Sequence, residues 1–170
     1  ALLQQSLSDG VIQNAVVAHQ HSQHHAIWQV REGIPLAEKA EGLMVKHDIG
    51  LPTSAIPTFV DEMAELINTR WPDARVVCFG HLGDGNLHYN VQPPVAQAQG
   101  QALLNFETAV NQLVFDEVQA RHGTLSAEHG IGQLRKAELA KRQSPVALAM
   151  MRALKQTLDP DQLLNPGRLI

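Results

Sequence analysis

Apolar residues recur at intervals of three or four in several segments, the spacing that places them on one face of a helix. Beside Pro57, which suits a first helical position, Ile56, Val60, Met63 and Ile67 form one such stripe. Another predicted helix has a longer stripe and ends at a His-Gly pair: Leu103, Phe106, Val110, Leu113, Val114, His122 and Gly123. Weaker periodicity predicts one helix that ends near residue 33 and two more over residues 133–142 and 145–158.

Short apolar runs bounded by polar or turn residues predict the strands. They cover residues 43–49, 75–81 and 86–92, a buried strand at residues 14–18, and a short strand near residues 124–126. Helices separate most of the strands, and no repeat or low-complexity linker divides the chain. We therefore expect one α+β domain with a mostly antiparallel sheet, helices packed on one face in a ferredoxin-like arrangement, and a helical C-terminal tail.

Composition and charge exclude several classes of partner. Hydrophobic residues make up 44% and charged residues 18% of the 170 residues, the proportions of a globular protein that buries one core. The formal charge of -4 includes no basic stripe, so neither nucleic acid nor an anionic membrane surface is expected as a partner. The single Cys78 cannot form an internal disulfide, and no apolar stretch reaches the ~20 residues of a membrane helix. A cytoplasmic location is expected.

The sequence Asp84-Gly85 between two predicted strands is typical of a two-residue type I′ hairpin turn. With those residues as the turn, His81 lies directly opposite His88. Opposed side chains have Cβ atoms ~5 Å apart, so both imidazole rings could bind one metal ion. Strand alternation adds Asn86 and Asn90 to the same face. An ordinary hairpin with two exposed histidines explains this segment equally well.

A second candidate segment is Glu128-His129-Gly130. A carboxylate beside two histidines completes a three-ligand site with an open coordination position, which catalytic metals require. Because adjacent side chains diverge in an extended chain, Glu128 suits a metal ligand and His129 a base. The alternative is a helix-entry turn with two solvated charges. The histidine tract at residues 19–25 is more simply a solvated helix face, because no carboxylate or cysteine accompanies it at ligand spacing.

Several motifs occur together in this chain: Gly80-His-Leu-Gly-Asp-Gly-Asn-Leu-His88, Glu128-His-Gly-Ile-Gly132, Leu158-Asp-Pro160 and Leu164-Asn-Pro-Gly167. With Trp28-Gln-Val-Arg-Glu32 and Lys46-His-Asp48, they resemble the C-terminal domain of FAD-linked oxidases over nearly the whole chain. That family includes D-lactate dehydrogenases, the glycolate oxidase flavoprotein subunit and D-2-hydroxyglutarate dehydrogenase. The resemblance implies that residues 1–170 form the substrate- and metal-binding cap domain of a larger flavoprotein, whose N-terminal FAD-binding domain is absent from this chain.

The resemblance also implies roles for individual residues. By this resemblance His81, His88 and Glu128 are the ligands of a divalent metal, often zinc, and His129 is the base beside it. The substrate is bound by Arg31, Lys46 and Asn90, and Asn165 approaches the flavin. Two of these assignments have a plain alternative. Asn165 also suits a turn before Pro166, and Arg31 and Lys46 also suit surface cations.

The activity that this resemblance implies is oxidation of a D-2-hydroxy acid to the 2-oxo acid. The metal would bind the C2 hydroxyl and a carboxylate oxygen, His129 would remove the hydroxyl proton, and hydride would pass to FAD. Pro35 stands where the 2-hydroxyglutarate enzyme uses a threonine to hold its substrate, so a lactate- or glycolate-like acid is expected. The isolated chain is expected to hold no FAD and to be inactive.

Two other functional classes remain open from the sequence. One is a self-contained metal-dependent hydrolase, in which metal-bound water attacks a carbonyl with His129 as base. The other is a non-catalytic α+β dimerisation module. For the flavoprotein, the expected partner is a small 2-hydroxy acid. The flavoprotein hypothesis is compatible with a homodimer and with loose association of the full-length enzyme with the inner membrane. The sequence does not identify the electron acceptor.

Overall fold

The computed structural model of the protein describes residues 2–170. These residues divide into two compact units, 2–42 and 43–170. The first unit is helical and comprises α1 (Leu2–Ser8), α2 (His21–Glu32) and α3 (Ile34–Glu41). The second unit contains the sheet and the remaining helices.

In the first unit the structure confirms the helix ending near residue 33 but contradicts the predicted buried strand at residues 14–18. That segment is irregular and exposes 80% of Val16, and its unit offers no strand with which it could pair. The helix α3 was missed because Gly33-Ile34-Pro35 resembles a helix end. Instead Pro35 lies in the first turn of α3, where its missing N–H and fixed φ cost nothing.

The second unit contains β1 (Val45–Gly50), α4 (Ile56–Arg70), β2 (Arg75–His81), β3 (Asn86–Gln92), α5 (Gly100–Ala120), α6 (Lys136–Arg142) and α7 (Pro145–Leu158). Short 3-10 turns cover Thr53–Ala55, Leu82–Asp84 and Val95–Gln97. The strands pair antiparallel in the order β1-β3-β2, so the expected α+β class is confirmed. Within the described chain no helix is both long and apolar enough to span a membrane.

The strand order resembles a ferredoxin-like fold in which the fourth strand is reduced to one bridge. Thr124 pairs antiparallel with Gly50 on the edge of β1 that does not pair with β3. The backbone N–H of each residue donates to the carbonyl of the other, at 2.8 and 3.1 Å. The short strand predicted near residues 124–126 is therefore present only as this bridge.

The helices α4 and α5 pack on one face of the sheet. From the strands, Ile49, Leu87, Tyr89 and Val91 enter the core; from the helices, Phe59, Met63, Ile67, Phe106, Val110, Val114, Phe115 and Val118 do so. Aromatic rings meet edge to face across this layer, with centroids 5.6 Å apart for Phe59 and Tyr89. The core thus uses every second residue of β1 and β3, and leaves the alternate residues to the opposite face.

The predicted hairpin register was wrong by two residues. His81 pairs with Asn86, not with His88, which instead pairs with Phe79. The connection is the 3-10 turn Leu82–Asp84 followed by Gly85 in the left-handed region at φ 71°, not a two-residue turn. A slip of two residues preserves the face of every side chain, so His81 and His88 still share one face, as neighbours along a diagonal.

Candidate functional site

The site lies on the face of the sheet opposite α4 and α5, which we call the polar face. It is formed by the outward residues of three strands: Lys46, Asp48 and Gly50 of β1, Asn86, His88 and Asn90 of β3, and Val77, Phe79 and His81 of β2. Cross-strand pairing aligns them in rows. The central row runs Asp48, His88, Phe79. The row on the turn side of it runs Gly50, Asn86, His81.

The chain after α5 crosses this face beside β1. Its approach requires glycine at two places. A Cβ on Gly50 would lie 2.6 Å from Thr124 Oγ1, and a Cβ on Gly123 would lie 2.4 Å from the Gly50 carbonyl oxygen. Close backbone contact of this kind excludes larger residues. The segment that follows, Ser126 to His129, thereby lies over the outward side of β1.

One carboxylate oxygen binds this segment. Asp48 Oδ2 accepts hydrogen bonds from the backbone N–H groups of Ala127 at 3.2 Å, Glu128 at 2.9 Å and His129 at 2.8 Å, and from Ser126 Oγ at 3.1 Å. Burial acts to raise the pKa of Asp48, but the hydrogen bonds from His129, Glu128 and Ser126 outweigh it and hold this pKa below its ordinary value. Asp48 is therefore a charged acceptor at neutral pH.

This contact brings Glu128 and His129 to His88. The Oε2 of Glu128 lies 3.7 Å from Nε2 of His88, and the rings of His88 and His129 have centroids 5.9 Å apart. His129 Nδ1 lies 3.6 Å from Asp48 Oδ2. His88 is mostly buried, and its ring packs at a tilt against the ring of Phe79 with their centroids 4.9 Å apart. The side chain of His129, in contrast, is 70% exposed. A carboxylate, a restrained imidazole and an accessible imidazole thus converge on the polar face.

The fit to a metal is partial. Imidazole and carboxylate are donors that suit zinc, and Glu128 and His88 are close enough to bind one ion with a modest movement. His81 is exposed at the end of β2, in the row beyond His88. Among residues 2–170, no group of three or more His, Cys, Asp or Glu side chains is placed to hold a metal. Asn86 lies in that same row, and its buried side-chain atoms Oδ1 and Nδ2 have no hydrogen-bond partner in the described chain.

The motifs of this site match one known family. The profile of FAD linked oxidases, C-terminal domain, matches residues 1–169. The chain belongs to this family. It is 38% identical over 99% of its length to a D-2-hydroxyglutarate dehydrogenase of Xanthomonas citri pv. viticola, and covers 35% of that protein. It is 33% identical over its whole length to the mitochondrial D-2-hydroxyglutarate dehydrogenase of Arabidopsis thaliana, of which it covers 29%.

A further relative, a putative mitochondrial D-lactate dehydrogenase of Schizosaccharomyces pombe, is 31% identical over the whole chain, which covers 33% of that protein. The FAD-linked oxidase domain described here thus spans about a third of the length of these relatives. The three relatives named here are each similar over 99% or more of this chain, and none of their names describes hydrolysis.

The remaining predicted residues are Lys46, Asn90, Arg31 and Asn165. Lys46 is exposed on the polar face, one row from Asp48, and its cross-strand partner Asn90 is buried with its Oδ1 3.4 Å from the backbone nitrogen of His47. Arg31 lies on α2, in the first unit. Asn165, at φ 48°, lines a cavity of about 610 Å³ between α7 and the C-terminal tail of this oxidase domain.

Sequence reasoning missed a buried polar cluster behind the site. His47 is 1% exposed, with Nδ1 2.7 Å from the Tyr89 carbonyl oxygen and Nε2 2.9 Å from Asn111 Oδ1. Burial lowers the pKa of His47 to about 4, against the raising effect of the bond to Tyr89, and the charge of Arg135 lowers it further. The signal was available, because alternation places His47 between Val45 and Ile49 on the core face.

Proposed function

We propose that the full-length protein is an FAD-dependent dehydrogenase that oxidises a D-2-hydroxy acid, and that this domain supplies the groups around the reacting carbon. The observation that carries the proposal is the convergence of His88, Glu128 and His129 on the polar face. The names of the relatives support the reaction class, since they are D-2-hydroxyglutarate and D-lactate dehydrogenases.

His129 is the proposed base. Its ring is accessible, and it lies beside the better buried His88, whose ring is restrained by Phe79. A base in this position removes the proton of the C2 hydroxyl as the C2–H bond breaks. FAD, when bound, would supply the hydride acceptor for C2, and loss of the proton and the hydride leaves the 2-oxo acid. The proton therefore remains on His129 until it exchanges with solvent.

Lys46 and Arg31 are the proposed carboxylate-binding residues. Lys46 presents a point charge on the polar face, and a guanidinium group such as Arg31 can form paired hydrogen bonds to a carboxylate. The buried Asn90, in the row of Lys46, would fix the orientation of the bound acid. D-2-hydroxyglutarate is the first candidate because it is the substrate in the names of two of the relatives, whereas Pro35 favours a shorter acid.

The remaining site assignments concern groups that the domain would share with the rest of the protein. His88 and Glu128, with His81 from the end of β2, would hold a divalent metal, for which the donor types favour zinc. Such a metal polarises the hydroxyl of a bound hydroxy acid. Asn165 would approach the flavin, since with Arg168 it adds polar groups to a mostly apolar cavity that suits the edge of an aromatic ring system.

The test is reduction of the flavin in the full-length protein under anaerobic conditions. Flavin absorbance is followed after mixing with D-2-hydroxyglutarate, D-lactate, D-glycerate and the achiral glycolate, with the L-enantiomers of the three chiral acids as stereochemical controls. We expect at least one D-acid to bleach the flavin. His129→Gln should slow the reduction by roughly 10²- to 10⁴-fold, the usual contribution of a general base. The matched control is His122→Asn, at an exposed histidine whose φ of 58° suits asparagine. Failure of every acid to bleach the flavin would overturn the proposal.

The metal assignment has its own measurement, the zinc content of the purified protein. We expect about one zinc per chain, with loss of that zinc in His88→Ala and His81→Ala. Histidines at residues 19–25 could bind zinc adventitiously, so His25→Gln serves as the control and should leave the content unchanged. Equal zinc content in all four proteins would exclude the proposed ligands.

A further inference from the structure

We propose that Asp48 is a positioning residue of this site, whose carboxylate fixes the segment Ser126 to His129 so that Glu128 and His129 face His88. The kinetic part of this inference rests on the proposed function, whereas the structural part does not. Asp48 touches neither FAD nor the reacting carbon in this scheme. It acts through the two residues that it places.

The first step of the argument is the arrangement of the donors. Three successive backbone N–H groups, those of Ala127, Glu128 and His129, point to the same oxygen, Oδ2 of Asp48. Successive amides of an extended chain point in opposite directions, so their convergence requires a curled backbone that wraps around an anion. The hydroxyl of Ser126 adds a fourth donor from the same side. The curled backbone of residues 126–129 therefore depends on the Asp48 carboxylate at its centre.

The second step is the lack of regular structure in this segment. Between the bridge at Thr124 and the start of α6 at Lys136, the chain forms bends and turns without a helix or strand. Left-handed glycines follow at once, with φ of 74° for Gly130 and 55° for Gly132. Such a backbone has no repetitive hydrogen bonding of its own. Hydrogen bonds to Asp48 supply what a strand or helix would otherwise provide.

The third step concerns the side chains that the segment presents. Glu128 and His129 are 44% and 70% exposed, so packing restrains them little, and the path of the backbone decides where they point. His88 is restrained separately, by β3 and by the Phe79 ring. Loss of the Asp48 carboxylate should therefore displace Glu128 and His129 while His88 stays in place. The 3.7 Å contact of the Glu128 carboxylate with His88 and the 5.9 Å approach of the His129 ring to His88 would therefore be lost together.

The variants are Asp48→Ala, which removes the acceptor, and Asp48→Asn, which keeps one oxygen able to accept the same N–H groups. Ser126→Ala is the matched control, because it removes one of the four donors and leaves the three amides bound. Each change is made in the full-length flavoprotein. Hydrogen exchange of the amides at Ala127, Glu128 and His129 is measured in each protein, along with flavin reduction by the D-acid that bleaches the wild type.

In Asp48→Ala we expect at least ~10-fold faster exchange at these three amides, with exchange in β3 unchanged. The limiting rate of flavin reduction should fall about 100-fold, the effect of misplacing a catalytic group by about an ångström, while KM changes by less than about threefold. Asp48→Asn should recover most of the lost rate. Ser126→Ala should stay within about threefold of the wild type in both measurements.

Unchanged exchange at the three amides in Asp48→Ala would overturn the inference, as would a limiting rate within about threefold of the wild type. So would equal losses in Asp48→Asn and Asp48→Ala, since a purely structural defect gives no recovery by the amide. Should Asp48→Ala fail to fold, Asp48→Asn decides, because its neutral amide oxygen is a weaker acceptor than the carboxylate. Exchange at the three amides that is faster in Asp48→Asn than in Ser126→Ala supports the inference, and exchange that is no faster overturns it. If no acid bleaches wild-type flavin, the proposed function fails, and the exchange result alone still decides whether Asp48 holds the segment.

Discussion

The buried His47 makes the stability of this domain depend on pH in a defined window. Its pKa is about 4 in the folded chain, against an ordinary value of 6.5, because burial disfavours the charged ring. Between these two values the unfolded chain binds a proton that the folded chain does not. Stability is therefore full above pH 6.5 and declines as the pH falls towards 4. At about 1.4 kcal/mol per pKa unit, the whole difference is about 3 kcal/mol.

The assay is urea unfolding at a series of pH values from about 7.5 to 4.5, in which this ring should contribute a loss of roughly 2 to 3 kcal/mol. Carboxylates and exposed histidines also titrate, so the comparison is with His47→Asn, whose amide can still donate to the Tyr89 carbonyl but does not titrate. The variant has a lower stability throughout because it leaves a cavity. Its free energy of unfolding should nevertheless fall less between about pH 7.5 and 4.5 than that of the wild type, by the contribution expected of His47. Parallel curves for the two proteins would show that His47 is not held neutral by burial.

Three further changes test the fold around the site. Gly85→Ala should lower the free energy of unfolding by more than about 2 kcal/mol, because φ is 71° and the added Cβ would lie 2.1 Å from the Leu51 carbonyl oxygen. The control is Gly83→Ala in the same turn, whose Cβ would meet nothing within 4 Å. In the same urea titration it should lower the free energy of unfolding by less than about 0.5 kcal/mol. Phe115→Ala should cost about 3 to 5 kcal/mol, since it empties a fully buried site, and a loss below 1 kcal/mol by calorimetry would contradict that core. Ser144→Ala should cost about 1 kcal/mol, because its hydroxyl caps α7 at the Ala147 N–H, and an unchanged melting temperature would count against the cap.

The sequence correctly predicted which face of the sheet carries the candidate site residues, but it gave the wrong register between β2 and β3. Alternation along β2 and β3 placed His81 and His88 on one face, and that holds because a slip of two residues leaves alternation intact. The register itself depended on the turn. Asp84-Gly85 is typical of a two-residue turn, but Gly85 packs against Leu51, whose N–H donates to the Gly85 carbonyl at 2.8 Å. That contact comes from the residue that follows β1, more than 30 positions earlier in the chain, and no local sequence pattern predicts it.

Contacts of this long-range kind account for most of what sequence reasoning missed. Asp48 was visible as part of a motif, but its bonds to residues 127–129 cross about half the chain and follow no period. The predicted strand at residues 14–18 failed for the opposite reason, since a local apolar run had no partner strand in its unit. The helices α4 and α5 were predicted well because their apolar stripes are long and begin near a proline or after a polar loop.

The structure also explains why one irregular segment can present a defined pair of side chains. Three successive outward positions of β1 bind it: Gly50 pairs with Thr124, Asp48 accepts from the following amides, and the Lys46 carbonyl accepts from Arg135 at 2.8 Å. The Arg135 guanidinium is itself fixed over the Phe115 ring in the core, at 4.8 Å. Because all three contacts start from one strand, the segment cannot shift along β1 without breaking each of them. These contacts therefore hold Glu128 and His129 in place within the fold itself.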